Sequence, residues 1–119
     1  MDRLWIGLGA IAGLGAVALA AVAAHAGLDG ARLEMLRDGV QMQGWHALAL
    51  LFTGLWAPRG GRLAQLAGAA FVIGLVLFCG GVYAIALAGT RLPSVAPTGG
   101  TILMLGWLLL AISALRRRA

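Results

Sequence analysis

Every residue from Leu63 to Thr90 lacks a formal charge, and so does every residue from Gly39 to Pro58. Two more runs share this property: Leu4 to Ala24, and Thr98 to Leu115 behind Pro93 and Pro97. A helix crosses bilayer hydrocarbon in about 20 residues, with a range of about 17–25. All four runs reach that length. In lipid a helix satisfies its own backbone hydrogen bonds, whereas a membrane β-barrel would need polar/apolar alternation, which is absent. The expectation is an all-α membrane protein with a single domain over residues 1–119. It would be a bundle of four transmembrane helices, spanning about 4–26, 40–57, 63–89 and 98–115.

Composition supports lipid as the solvent. Hydrophobic residues make up 61% of the 119, and charged residues 11%, against about 25% in an average soluble domain. Mean hydropathy is +0.94. A soluble chain this short could not bury so much apolar surface.

All nine basic residues are arginines, and the net charge is +5. They stand at the ends of apolar runs, so they read as topology signals and headgroup anchors; nucleic acid is not an expected partner. With four spans, Arg3, Arg59, Arg62, Arg116, Arg117 and Arg118 share one side, and Arg32, Arg37 and Arg91 the other. The arginine-rich side is expected to be cytoplasmic, placing both termini there and the protein in the inner (plasma) membrane. Arg3, the first apolar run and its small-residue ending at Ala26 also mimic a secretory signal peptide, but the run is longer than a usual signal core. Pro58-Arg59-Gly60-Gly61-Arg62 reads as a tight turn. Residues 29–38 read as a short amphipathic helix on the membrane surface, capped by Asp29, with Gly39 marking a bend.

Small residues promise close helix contacts. Gly9 and Gly13 form a GxxxG pattern; Gly80, Gly99 and Gly100 are further packing candidates. Trp5, Trp45, Trp56 and Trp107 are expected as interfacial anchors.

The polar residues are expected to gather near the outer interface: His25, Gln43, His46, Tyr83 and Thr98. Intramembrane polar groups face the bundle interior because unpaired ones are costly. The cluster is therefore either a small ligand site or a hydrogen-bond network that ties the helices together, and the network is the simpler expectation. Haem b held by His25 and His46, or a quinone near His46 and Tyr83, are the cofactor alternatives to none at all. Proton-coupled transport would need a carboxylate within a span, and none of Asp2, Asp29, Glu34 and Asp38 lies in one. The lone Cys79 forms no intrachain disulfide and no multi-cysteine metal site. No serine-nucleophile motif, paired carboxylate or phosphate loop points to an enzyme.

Four segments carry a family resemblance: Ala20-Ala21-Val22-Ala23-Ala24-His25, Gln41-Met42-Gln43-Gly44-Trp45-His46-Ala47-Leu48, Gly74 to Tyr83, and Ala96-Pro97-Thr98-Gly99-Gly100 with Gly106-Trp107. They resemble the YgdD/YwdK-like small integral membrane proteins (domain of unknown function 423). The chain departs from that pattern at Cys79-Gly80-Gly81, where the family has Ser-Gly-Ser, at Trp45 for Tyr, and at Ala96 for Thr. The resemblance implies a four-helix inner-membrane protein and no particular reaction. The resulting expectation is a non-catalytic accessory or structural subunit of a larger membrane complex, such as a respiratory enzyme. The alternatives are a quinone-, lipid- or haem-binding protein, or a small transporter.

Overall fold

The structure, a computed structural model, describes residues 1–116. It is all-helical: α1 Asp2–His25, α2 Gly30–Ala88 and α3 Val95–Leu115. The expected four-helix bundle is thereby corrected to three helices. The spans drawn at 40–57 and 63–89 belong to one helix of 59 residues, and the turn drawn at Pro58–Arg62 is a bend inside it. Pro58 and the two arginines carry the signals of a helix terminus, yet the helix continues through them. Only Gly61 leaves the helical region, with φ 62° and ψ −145°. A side chain would be strained there, so glycine is the residue that permits the bend.

The bend folds α2 back on itself. Cys79 Sγ reaches the Gly39 carbonyl at 3.6 Å, and Tyr83 reaches Gln43 at 2.7 Å. The arms on either side of Gly61 therefore run antiparallel. α1 and α3 each pack on α2, and among the described residues their own backbones do not closely approach one another.

The segment at 29–38 is also corrected. It is no separate surface helix but the first turns of α2, continuous through Gly39. Asp29 does cap it, accepting from the Arg32 N–H at 3.2 Å, which satisfies an orphan donor of the first turn. Leu36 is fully buried and clusters with Ala23 and Ala86. Gly39 marks a close approach of the Tyr83 ring, with no room for a Cβ. At the far end of α2, Gly89 takes a left-handed conformation (φ 69°) and its N–H bonds the Ile85 carbonyl, the usual glycine stop. Pro97 sits in the first turn of α3, where a missing N–H does no harm.

The main core joins Trp5, Ala49, Leu50, Ala67, Phe71, Leu75, Cys79 and Leu103. Much of the outer surface is apolar: Leu14 and Val17 are each 72% exposed and Leu55 74%. Contiguous apolar surface of this kind belongs against lipid. All three helices are long and apolar enough to cross a membrane. The long dimension of 55 Å exceeds the roughly 40–45 Å of a bilayer with its headgroups.

Candidate functional site

His46 lies on the first arm of α2 and is 2% exposed. Its Nδ1 is 2.7 Å from the Met42 carbonyl, one turn earlier, and the Trp107 indole N–H of α3 donates to its Nε2 at 3.0 Å. A carbonyl can only accept and an indole N–H can only donate. Both bonds together require the neutral imidazole with its proton on Nδ1. Phe71 closes the group from the second arm. Its ring meets His46 edge-on at 5.7 Å and Trp107 at 5.1 Å, the geometry aromatic pairs prefer. The bracket thus binds both arms of α2 to α3.

A second bracket starts one turn earlier. Gln43 Nε2 donates to the Ala12 carbonyl of α1 at 2.9 Å, and the Tyr83 hydroxyl donates to Gln43 Oε1 at 2.7 Å. One amide therefore joins α1 to both arms of α2. Gln43 and His46 are neighbours one turn apart on the helix; the amide reaches α1 and the imidazole reaches α3.

The expected cluster is only partly assembled. Gln43, His46 and Tyr83 come together in these brackets. His25 is exposed at the C-terminal end of α1, and Thr98 is exposed in the first turn of α3. Neither takes part. Both nitrogens of His46 are engaged, so it offers no ring nitrogen to a haem iron in this arrangement. Among the described residues no three His, Cys, Asp or Glu side chains converge as a metal-binding group.

The tryptophans are expected at the membrane interface, and the structure distributes them differently. Trp45 is 55% exposed on the first arm of α2. Trp5 is buried and donates to Gln65 Oε1 at 2.7 Å, while Gln65 donates to Asp2 Oδ1 at 2.8 Å. Trp56 donates to Ser113 Oγ at 2.9 Å. Three of the four indoles therefore serve as interhelical donors. The missed signal was the number of buried acceptors: an indole N–H within a bundle needs one.

Among the packing glycines, Gly99 lies directly on the backbone of Phe78 and Gly74, and Gly9 on the Ala47 carbonyl. Gly13 and Gly100 make looser contacts, and Gly80 faces open space. Beside Gln43 and Cys79 lies a small cavity of about 220 Å³, also lined by Ala12, Leu75, Val76 and Gly80. Every buried side-chain nitrogen and oxygen among the described residues has a hydrogen-bond partner.

An all-helical chain with lipid-facing flanks and an internally paired polar interior is an integral membrane protein. It belongs to the family described as protein of unknown function DUF423, whose model matches residues 19–100. A UPF0382 membrane protein of Haemophilus influenzae is 32% identical over 123 residues, covering 100% of this chain and 99% of its own. YwdK of Bacillus subtilis, a UPF0382 membrane protein, is 31% identical over 96% of this chain and 98% of its own. The UPF0382 inner membrane protein YgdD of Escherichia coli is 31% identical over 97% of this chain and 92% of its own. No solved structure matches.

Proposed function

We propose that this protein is a non-catalytic subunit of a larger inner-membrane complex, of which a respiratory enzyme is an example. The observation that carries the reading is the pairing of every buried polar side-chain atom within the described residues. Groups that do chemistry need a free valence toward a substrate; here the Gln43 and His46 brackets use theirs to hold helices. The connections at 26–29 and 89–94 are too short to carry a catalytic domain. A groove of about 600 Å³ between α1 and the first arm, floored by Gly9, Gly13, Gly44 and Ala47, offers the kind of small-residue surface on which another helix packs closely.

Placement in the bilayer follows from charge. Asp2 lies beside Gln65, and Ser113 beside Trp56, so the starts and ends of the described chain share the end of the molecule that holds the bend. Arg3, Arg59, Arg62 and Arg116 belong to that end, which supports a cytoplasmic orientation for it.

The test is a mild-detergent pull-down of tagged protein from its native membrane, read by mass spectrometry. The expected result is a larger partner in stoichiometric amount. Recovery of the protein alone would overturn the subunit reading. It would favour the second reading, a quinone-sized ligand at the cavity beside Gln43 and Cys79, which solvent extraction of the purified protein would reveal.

A further inference from the structure

Phe52, Trp56 and Arg59 recur at helical spacing along the first arm of α2, so they share one face. Beside that face α3 lays Trp107, Leu110, Ala111 and Ala114. These six apolar residues line a groove of about 360 Å³. Its shape is held from within. Trp56 Nε1–H is bound to Ser113 Oγ, and the Phe52 ring stacks on Trp56 with a centroid distance of 6.2 Å and an interplanar angle of 12°. With the indole N–H occupied, the slot presents ring faces and hydrocarbon. Along the first arm it runs from Phe52 to Trp56, and Arg59 follows about 4.5 Å further toward the bend, at about 1.5 Å per residue.

At the bend end the chemistry changes. Arg59 follows Trp56 by three residues, and Arg116 caps α3 two residues beyond Ala114. Both are exposed, and neither has a hydrogen bond or ion pair through its side chain among the described residues. The carboxylate at this end, Asp2, belongs to α1 and accepts from Gln65. The α1 backbone does not closely approach that of α3; at Asp2 it packs over Gly54, two residues from both Phe52 and Trp56 and so on the other face of the first arm.

We propose that this groove binds an anionic glycerophospholipid, with an acyl chain between the first arm of α2 and α3 and the headgroup phosphate at Arg59 and Arg116. One molecule answers both features. Hydrocarbon alone would leave the two guanidinium groups unanswered, and a free anion would leave the slot empty. Guanidinium groups match phosphate oxygens in a two-pronged geometry, and each arginine near a headgroup contributes appreciable attraction to anionic lipid. The inference is independent of the subunit reading above.

Native mass spectrometry of the purified full chain in a neutral detergent tests it, with phosphatidylglycerol, phosphatidylcholine and inorganic phosphate as separate additions. The wild type should retain phosphatidylglycerol over phosphatidylcholine. Arg59→Gln should lower retention about fivefold, the scale of one headgroup-facing arginine. Ala111→Phe, which fills the slot, should lower it comparably at unchanged melting temperature. Arg3→Gln, at the same end but on α1, should change it by less than about twofold. Three results would overturn the proposal: equal retention of both lipids, wild-type retention by Arg59→Gln, or full displacement by inorganic phosphate with no effect of Ala111→Phe. Arg59 is exposed, so its variant folds and decides the matter even if Ala111→Phe does not.

Discussion

The middle of the molecule and its bend end use polar residues in opposite ways. Around residues 42–46 each polar group is answered by another part of the chain: Gln43 by Ala12 and Tyr83, His46 by Met42 and Trp107. At the bend end Arg59, Arg62 and Arg116 stand exposed, and no carboxylate of the described residues pairs with them. Arg32, at the opposite end, shows what an answered arginine looks like: its Nε–H donates to the Ala86 carbonyl at 3.0 Å, near the C-terminal end of α2, where a cation suits the helix dipole. The difference teaches where to look for roles. Inward polar groups set the geometry of this fold, and outward ones are left for the membrane.

The contrast can be broken most severely from the inside. Gly99→Val would drive a side chain into the Phe78 and Gly74 backbones. Backbone cannot step aside as a flexible side chain can. A loss on the order of 3 kcal/mol or more is expected, seen as a large drop in melting temperature in detergent. An unchanged melt would mean that α3 does not dock as described.

His46→Ala comes next. It removes an acceptor from Trp107 and an edge contact from Phe71, for a loss of about 2 kcal/mol. Trp107 fluorescence should shift as the indole N–H loses its partner. Wild-type stability would remove the bracket's structural role and reopen the histidine to function.

Tyr83→Phe is gentler. It deletes one hydroxyl and leaves the Gln43–Ala12 bond in place, so about 0.6 kcal/mol is expected, near the mean for interhelical bonds in membranes. A loss several times larger would show that the two brackets are coupled, which a double mutant with His46→Ala would measure.

Arg59→Gln should be the mildest of the four, within about 0.5 kcal/mol in detergent. A substantial destabilisation would erase the distinction between the two regions, because it would make the outward arginine a packing residue.

Much of the fold is legible in the residues. The apolar runs set helix, length and solvent, and they mark α1 and α3 within a few residues of their ends. Asp29 announces the start of α2, and Pro93 follows its end. The middle of the chain misleads because Pro58, Gly60, Gly61 and the flanking arginines are the same signals that end helices elsewhere. A bend that keeps the hydrogen-bond ladder on both sides looks identical in one dimension. The residues at 29–38 mislead for a similar reason: an amphipathic stripe shows that one face is covered, and it does not say whether lipid or the second arm covers it. The candidate site is half legible. That Gln43, His46 and Tyr83 turn inward follows from cost; His46 is buried and the other two are half-buried. His25 and Thr98 share only a depth with them, and depth carries no information about which way a side chain faces.

The sequence by itself determined that this chain lives in lipid, that it is helical, and that its arginines stay outside the hydrocarbon, because those properties depend on the transfer energies of residues taken one at a time. Tertiary structure decided the pairings: which acceptor each indole finds, which glycine meets a backbone, and that His46 holds its proton on Nδ1. Those depend on contacts between residues about 20 to 60 positions apart, and the bend at Gly61 is what brings the indoles to their acceptors.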